Sequence, residues 1–277
     1  MVYVIYMKTF IRRPGNKSSH LKHIIPLVPE KYNTYIEPFV GAGAVFLHLL
    51  PKKWIINDLN KDIVDIWKLA RDDPQYLLCE IKKFQEKFLI LSNEDKLKKC
   101  KEITSKLDGF RGKKRTVMYL LMIYCCYQGC IERNDKFSFD GLYGHIYNNE
   151  SVHIFTEKYV KKITELSVIL KNGCILNGDY KSILKKAKKG DFVFLDPPYM
   201  EDKKYTFNYN KDEVFDIQGL LGELKKLDEK GVRWMMTQID NKLSRTIFLK
   251  YRTLEYRNKN SMTKILTNKK ELIFMNY

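Results

Sequence analysis

Four consecutive residues, Asp196-Pro197-Pro198-Tyr199, carry groups that could hold a flat heterocycle bearing an amine. The Asp196 carboxylate accepts hydrogen bonds, and the two prolines fix the backbone while leaving carbonyl oxygens free to accept more. Tyr199 offers an aromatic face on which a nucleobase can stack. These residues predict a site that acts on an exocyclic amine, and a rigid turn is the alternative that they leave open on their own.

A second segment, residues 39–43 with the sequence Phe-Val-Gly-Ala-Gly, is typical of a turn that approaches a ligand. Glycine lets the backbone turn tightly and come close to a bound molecule, where a Cβ atom would clash. Such a turn alone is common in α/β proteins, so it indicates a ligand site only in combination with the first motif. Asp58 ends the next apolar run and could accept hydrogen bonds from ribose hydroxyls. Phe46 occupies the third glycine of the dinucleotide pattern, which disfavours a nicotinamide cofactor.

Apolar runs of four to eight residues and helical periodicity predict the elements that position these motifs. Strands are expected before each motif, at 54–58, at 192–195 and at 232–238, and a strand pair is expected at 252–257 and 271–275. A helix should follow the glycine turn, and another should cover 215–227. Two strand ends would thus meet at one edge of an open α/β sheet, where such sheets bind ligands.

Together, segments 37–47 and 196–199 resemble the amino-methyltransferases of DNA, most closely the Dam-type adenine-N6 enzymes of the D12 class, alpha group. The resemblance covers most of the chain. It implies an α/β fold with a Rossmann-like methyltransferase core, a mixed sheet of seven strands with one reversed. It also implies S-adenosylmethionine as the cofactor and site-specific methylation of N6 of an adenine flipped out of double-stranded DNA.

The resemblance carries roles onto individual residues. Asp196, Pro197, Pro198 and Tyr199 would be catalytic, with Asp196 and the Pro197 carbonyl accepting both hydrogens of the target amine. The residues implied to bind the cofactor are Arg13, Lys17, Glu37, Pro38, Phe39, Gly41, Ala42, Gly43, Asp58, Asp179, Tyr180 and Asp196. Arg13 stands where the family usually has an aromatic side chain, and Phe10 is a nearby aromatic that could replace it.

The glycine turn precedes Asp196 by roughly 150 residues, which matches the alpha arrangement of the family. We expect the catalytic core at 1–72 and 151–277, and an inserted, mainly helical target-recognition subdomain at 73–150. Periodicity predicts helices over 76–89 and over 117–127, and the second is too short to span a bilayer. The candidate DNA contacts are Arg133, Asn134, Lys136, Tyr205 and Asn208. The first three could instead be solvated loop residues, and the loop that holds the last two could fold over the flipped base or contact the complementary strand. The family's recognition loop is kept only in outline, so the target sequence cannot be inherited.

The charge balance favours a nucleic-acid partner, because 50 Lys and Arg against 33 acidic residues give a net charge of +17. We expect double-stranded DNA as the partner, and a cognate restriction endonuclease if the protein belongs to a restriction–modification system. The six cysteines lack zinc-site spacing, so no metal is expected. No membrane association or export is predicted. The protein is expected inside the cell, in the cytoplasm or nucleoid or in the host cell of a virus, as a monomer or weak dimer.

Other classes of protein are also compatible with these sequence motifs. Cytosine-N4 transfer shares the chemistry but usually shows Ser-Pro-Pro-Tyr, and RNA or protein methyltransferases typically show Asn-Pro-Pro-Tyr. A catalytically degenerate DNA-binding module is a further alternative, against which the intact Asp58 and Asp196 argue.

Overall fold

The structure is a computed structural model that describes residues 7–126, 156–199, 215–257 and 270–277. The chain divides into two compact units. The sheet unit consists of Lys17–Leu59 and Gly173–Tyr277, and the helical unit of Met1–Asn16 and Asn60–Asn172. Target recognition by residues 73–150 stays a prediction.

The sheet unit is built on one seven-stranded sheet in the described part of the chain. Its strands are β1 Tyr35–Glu37, β2 Trp54–Asp58, β3 Cys174–Asn177, β4 Phe192–Leu195, β5 Arg233–Ile239, β6 Arg252–Arg257 and β7 Lys270–Met275, in the order β3-β2-β1-β4-β5-β7-β6. Strands β1 to β5 pair in parallel, whereas β7 is antiparallel to both of its neighbours. The α/β class and the mixed seven-stranded sheet with one reversed strand are therefore confirmed.

The described residues also form ten α-helices: α1 Leu21–Ile24, α2 Ala44–Leu49, α3 Lys61–Asp72, α4 Pro74–Leu89, α5 Asn93–Ser105, α6 Gly112–Cys125, α7 Glu157–Ile169, α8 Tyr180–Leu184, α9 Ile217–Glu229 and α10 Lys242–Ile247. Helices α3 to α7 belong to the helical unit and the others to the sheet unit. The expected helices over 76–89 and 215–227 correspond to α4 and α9. Helix α6 begins at Gly112 rather than at Val117, and the predicted end at Tyr127 lies outside the described residues.

Strands β1 and β4 are neighbours in the middle of the sheet, with Ile36 opposite Val193. All four residues of β4 are fully buried, as the uninterrupted apolar run predicts for a central parallel strand. From β1 the strand order runs outward to β2 and β3 on one side, and from β4 to β5 on the other. Parallel sheets bind ligands at the carboxyl ends of strands where the order reverses in this way. The glycine turn and residues 196–199 follow the two strands at this point.

Helix α9 closes one face of the sheet unit. Its Leu220, Leu224 and Leu227 pack in one buried cluster with Trp234 of β5 and Phe274 of β7. Asp216 caps this helix by accepting a hydrogen bond from the Gly219 N–H. These contacts fix the strands whose ends carry the candidate site.

In the helical unit, polar caps and apolar faces define the helices. Asn60 accepts hydrogen bonds from the first N–H groups of α3, and Asp73 caps α4, in which Pro74 takes the first position. Helix α6 is buried on most of its circumference, as its sequence predicts. Within the described ranges, no helix combines the length and the apolar character needed to cross a bilayer.

Candidate active site

Asp196 follows β4 directly, and both of its carboxylate oxygens have partners. The Lys17 ammonium lies 2.8 Å from Oδ2, and the Thr237 hydroxyl donates to Oδ1 at 2.7 Å. Lys17 and Thr237 are both buried. Because two groups from different parts of the sheet unit hold it, the carboxylate is fixed in one orientation at the strand end. Lys17, implied by the resemblance to bind the cofactor, thus contacts the aspartate of the motif.

Tyr199 completes the motif with a ring that is held at both ends. Its backbone follows two prolines, and its hydroxyl donates to Glu271 Oε2 at 2.9 Å. The Lys17 Nζ atom lies 4.8 Å from the centre of the Tyr199 ring. Lys17 therefore links the carboxylate and the aromatic plane of the motif.

The glycine turn adopts the conformation that its sequence predicts. Gly41 and Gly43 have φ angles of +47° and +68°, in the left-handed region that favours glycine. The Gly43 N–H donates to the Val40 carbonyl at 2.7 Å, and helix α2 begins immediately afterwards. The Gly41 N–H donates to Asp58 Oδ2 at 2.9 Å. The structure thus brings together the turn after β1 and the acidic residue that ends β2.

Asn57 braces the loops around this turn. Its Nδ2 atom donates to the carbonyls of Pro38 and Gly178, at 2.9 Å each. Its Oδ1 atom is buried and has no hydrogen-bond partner among the described residues. Asn177 adds a second brace, because its Nδ2 atom donates to the Asp58 carbonyl at 2.9 Å. The buried Asn57 amide therefore joins the residues that follow β1 and β3 through hydrogen bonds.

Glu37, the last residue of β1, is buried beneath the turn. Burial raises the pKa of Glu37 to about 8, and the nearby Asp196 and Asp58 charges act in the same direction. Hydrogen bonds from the Tyr35 hydroxyl, at 2.7 Å, and from the Phe46 backbone oppose this shift. Glu37 is therefore a neutral carboxylic acid at pH 7 that links β1 to α2.

Asp179 and Tyr180 lie at the start of α8. Asp179 caps the helix by accepting from the Lys181 N–H at 2.7 Å, and its side chain is exposed. Tyr180 packs with Phe39 and Phe215, with ring centres 5.3 and 5.6 Å away. The buried Tyr180 hydroxyl has no hydrogen-bond partner among the described residues. Phe39 and Tyr180, both predicted from the sequence, therefore share one aromatic cluster.

Other predicted site residues belong to the helical unit or lie outside the described residues. Arg13 belongs to the helical unit, in the turn where the Asn16 N–H approaches the Arg13 carbonyl at 3.4 Å. Phe10 is fully buried and packs edge-on against Trp67, so its ring cannot stack on a ligand in place of the missing aromatic. The candidate DNA contacts Arg133, Asn134, Lys136, Tyr205 and Asn208 all lie outside the described residues.

Five residues around the site were not predicted from the sequence. Asn57, Thr237 and Glu271 contact residues of the two motif segments, and His20 and Tyr256 contact Glu271. Thr237 and Glu271 are 41 and 72 residues from the motif residues they contact. Such separations leave no spacing signal in a single sequence. The signal that could have been used is polarity, because Thr237 is a polar residue that directly follows the apolar run 234–236 of β5.

Comparison with known proteins places the chain in a family. The sequence pattern of the D12 class N6 adenine-specific DNA methyltransferases matches residues 14–262. A Type II methyltransferase of Methanocaldococcus jannaschii is 31% identical over 259 residues, which cover 85% of this chain and 85% of that protein. A Type II methyltransferase of Lactococcus lactis subsp. cremoris is 29% identical over 255 residues, 88% of this chain and 85% of that protein. A DNA adenine methylase of Haemophilus influenzae is 22% identical over 246 residues, 87% and 82% respectively.

The chain belongs to the D12 class N6 adenine-specific DNA methyltransferases. It is a DNA adenine-N6 methyltransferase, as the resemblance in its motifs implied. The family is specific for adenine in DNA, which decides against the cytosine-N4, RNA and protein alternatives.

Proposed function

We propose that the protein takes the methyl group from S-adenosylmethionine and transfers it to N6 of an adenine flipped out of double-stranded DNA, at a specific sequence. The observation that carries this proposal is the Asp196 carboxylate, held by Lys17 and Thr237 beside the anchored ring of Tyr199. Asp196 and Tyr199 end the strand next to the glycine turn, so acceptor, aromatic plane and turn share one edge of the sheet.

The residues of the glycine turn fit S-adenosylmethionine as a ligand. Glycine at the left-handed positions 41 and 43 leaves the turn without side chains there, and the Asp58 carboxylate beside it suits ribose hydroxyls. The buried Asn57 Oδ1 and Tyr180 hydroxyl have no partner among the described residues, and a bound ligand could supply one. The exposed Asp179 carboxylate suits the amine of the cofactor's adenine ring. Phe39 and Tyr180 supply apolar surface for the cofactor.

The adenine amine is a poor nucleophile because its lone pair is delocalised into the ring. We infer that Asp196 and the Pro197 carbonyl accept hydrogen bonds from its two hydrogens, which favours the tetrahedral nitrogen needed for attack. S-Adenosylmethionine, when bound, supplies an electrophilic methyl group on a sulfonium centre. The methylated nitrogen then releases one of its two hydrogens as a proton, for which the Asp196 carboxylate is the acceptor. Lys17 and Thr237 hold the Asp196 carboxylate still, so no reorganisation is needed when the base arrives. Tyr199 holds the base by stacking, which is worth about 1–3 kcal/mol.

We also propose that the protein has a cognate restriction endonuclease that shares its target sequence. The similarity to relatives named Type II methyltransferases supports this proposal. We propose that the methyltransferase acts as a monomer or a weak dimer.

The proposal is tested by methyl transfer from tritium-labelled S-adenosylmethionine to unmethylated genomic DNA, with calorimetric titration of the cofactor in parallel. Asp196→Asn should lower kcat at least about 100-fold, since one acceptor becomes a donor in the transition state. Asp58→Ala should weaken cofactor binding instead. The matched control is Asp191→Asn, at the opposite end of β4, where the carboxylate accepts from the Thr34 and Lys188 N–H groups. Equal loss in Asp191→Asn and Asp196→Asn, or full activity in Asp196→Asn, would contradict the proposal.

A further inference from the structure

Glu271 gathers three donors onto a single oxygen atom. Its Oε2 atom accepts from the Tyr199 hydroxyl at 2.9 Å and from the Tyr256 hydroxyl at 2.9 Å, and lies 3.1 Å from His20 Nδ1. Tyr256 and Glu271 are directly opposite each other on β6 and β7. We call these residues, His20, Tyr199, Tyr256 and Glu271, the hydroxyl anchor.

The protons of the hydroxyl anchor can be assigned from its geometry. Tyr256 has one hydroxyl proton, which it donates to Glu271. His20 Nδ1 lies 2.8 Å from the same Tyr256 oxygen and 3.1 Å from Glu271 Oε2. Because an ionised carboxylate can only accept, we assign a proton to Nδ1, which then donates toward Glu271. Every polar atom at the centre of the anchor is thereby satisfied.

The anchor is mostly shielded from solvent, and its charge is stabilised. Burial alone would raise the pKa of Glu271, but the His20 hydrogen bond and charge, the Lys17 charge and the Tyr199 hydrogen bond outweigh it and lower that pKa to about 2. Tyr256 is 5% exposed, and the Glu271 side chain is 17% exposed. A hydrogen bond to an ionised acceptor is roughly twice as strong as one between neutral groups. The Tyr199 hydroxyl is therefore held firmly.

We propose that Glu271 is a positioning residue for methyl transfer, which acts by holding the Tyr199 ring in place against the target base. The inference rests on the proposed function of Tyr199. Two prolines restrict the backbone before this residue, and Glu271 holds its hydroxyl, so tilting of the long axis of the ring is restricted. His20 and Tyr256 in turn fix Glu271. A stacking surface set before the base arrives lowers the entropic cost of holding the base in line for attack.

A double-mutant cycle between Glu271 and Tyr199 tests this role. Steady-state methylation of unmethylated genomic DNA is measured for Glu271→Ala, Tyr199→Phe and the double variant, with cofactor affinity from calorimetric titration. We expect each single variant to lower kcat by about 10- to 100-fold while KM for DNA and cofactor Kd stay within about twofold. The double variant should be no slower than the slower single variant, because both changes remove the same contact. Glu271→Gln, which keeps an oxygen acceptor, should recover most of kcat.

Asp228 offers a matched control for loss of a buried carboxylate in the same sheet unit. It accepts from the Trp234 indole, the Tyr251 hydroxyl and the Asn276 amide, at 2.8, 2.7 and 3.0 Å. These contacts surround the amino end of β5, whereas the motifs lie at carboxyl ends. Asp228→Ala should therefore lower the melting temperature and leave kcat unchanged.

Three results would overturn the inference: effects of Glu271→Ala and Tyr199→Phe that multiply in the double variant, a kcat for Glu271→Ala as high as that of Asp228→Ala, or no recovery in Glu271→Gln. If Glu271→Ala does not fold, Tyr256→Phe replaces it in the cycle, because it removes one support of Glu271 and keeps the ring. Failure of the proposed function is distinguishable, since the wild-type protein would then transfer no methyl group to DNA.

Discussion

At the scale of single residues, the site depends on carboxyl groups in unlike surroundings. Asp196 is paired with Lys17, and Glu271 with His20, Tyr199 and Tyr256, whereas Glu37 has no cation among its described contacts. Two carboxylates supply fixed negative charge at the strand ends, and a third group stays neutral beneath them. The Asp196 charge helps to keep Glu37 protonated, and the proton on Glu37 in turn removes the repulsion between these two groups.

The raised pKa of Glu37, about 8, makes a prediction about stability. The ordinary pKa of glutamate is about 4.3, so between these values the folded state holds a proton that the unfolded state has released. The stability contributed by this group is full below the lower value and is lost as pH rises toward 8. Relative to Glu37→Gln, the wild-type protein should lose about 4 kcal/mol of unfolding free energy between pH 5 and 8.

The measurement is urea unfolding of both proteins at several pH values. Glutamine preserves the size of the side chain and an acceptor for the Tyr35 hydroxyl. Parallel stability curves across this range would show that Glu37 is ionised in the folded protein and would refute the prediction.

A second prediction concerns the effect of the Thr237 hydroxyl on kcat. Its hydroxyl donates to Asp196 at 2.7 Å, and its side chain is fully buried on β5. Thr237→Val keeps the shape and removes the donor, so Asp196 should rotate more freely and kcat should fall about tenfold with cofactor affinity unchanged. Thr237→Ser, which keeps the hydroxyl, serves as the control in the same methylation assay. Equal kcat in the valine and serine variants would count against the role of this hydrogen bond.

At the scale of elements, the loops that carry the site are shaped by backbone conformation and by buried side-chain braces. Gly41 and Gly43 set the turn between β1 and α2, and Asn57 ties that turn to the loop after β3. The turn is therefore held in shape by glycine backbone angles and by hydrogen bonds within the protein itself. Ligand sites are usually largely formed by such internal contacts.

Gly43→Ala tests the contribution of the turn. Its φ of +68° is left-handed, which costs an L-residue roughly 1–2 kcal/mol, and unfolding free energy should fall by that amount. Gly178→Ala is the matched control, because its added Cβ would meet only Ser182 Oγ at an ordinary 3.7 Å and its φ is not left-handed. Denaturant unfolding of both variants checks the expectation. Comparable losses in the two variants would show that backbone conformation at Gly43 is not the cause.

The elements differ in how far their sequence predicts them. Strands β2 and β4 and helix α4 were predictable because their signals, apolar runs and helical periodicity, are local. The glycine turn and Asp196 were predictable because particular backbone angles and acceptors require particular residue types. The hydroxyl anchor was not, since His20 and Tyr256 are 236 residues apart and meet only when β6 and β7 join the sheet.

At the scale of the whole molecule, excess positive charge suits a protein that binds DNA. Lys and Arg outnumber acidic residues by 50 to 33. Each phosphate that a protein neutralises releases counterions, so affinity for any DNA sequence must fall as salt concentration rises. Family membership accounts for this charge, because the substrate of the family is DNA.

The corresponding prediction concerns nonspecific binding. If about six phosphates are contacted, affinity for a duplex without a target site should fall by about 1,000-fold between 50 and 200 mM salt. Fluorescence anisotropy with a labelled duplex measures the slope of log affinity against log salt. A slope near zero would mean that the net charge of +17 does not act on the DNA backbone.

This protein methylates N6 of adenine in DNA, and we propose that Asp196 binds the reacting amine. The most direct measurement incubates purified protein with S-adenosylmethionine and unmethylated genomic DNA, digests the DNA to nucleosides and identifies the methylated nucleoside by mass spectrometry. We expect N6-methyldeoxyadenosine with the wild-type protein and none with Asp196→Ala. Appearance of N4-methyldeoxycytidine, or equal yields of N6-methyldeoxyadenosine from the wild-type protein and Asp196→Ala, would contradict the account.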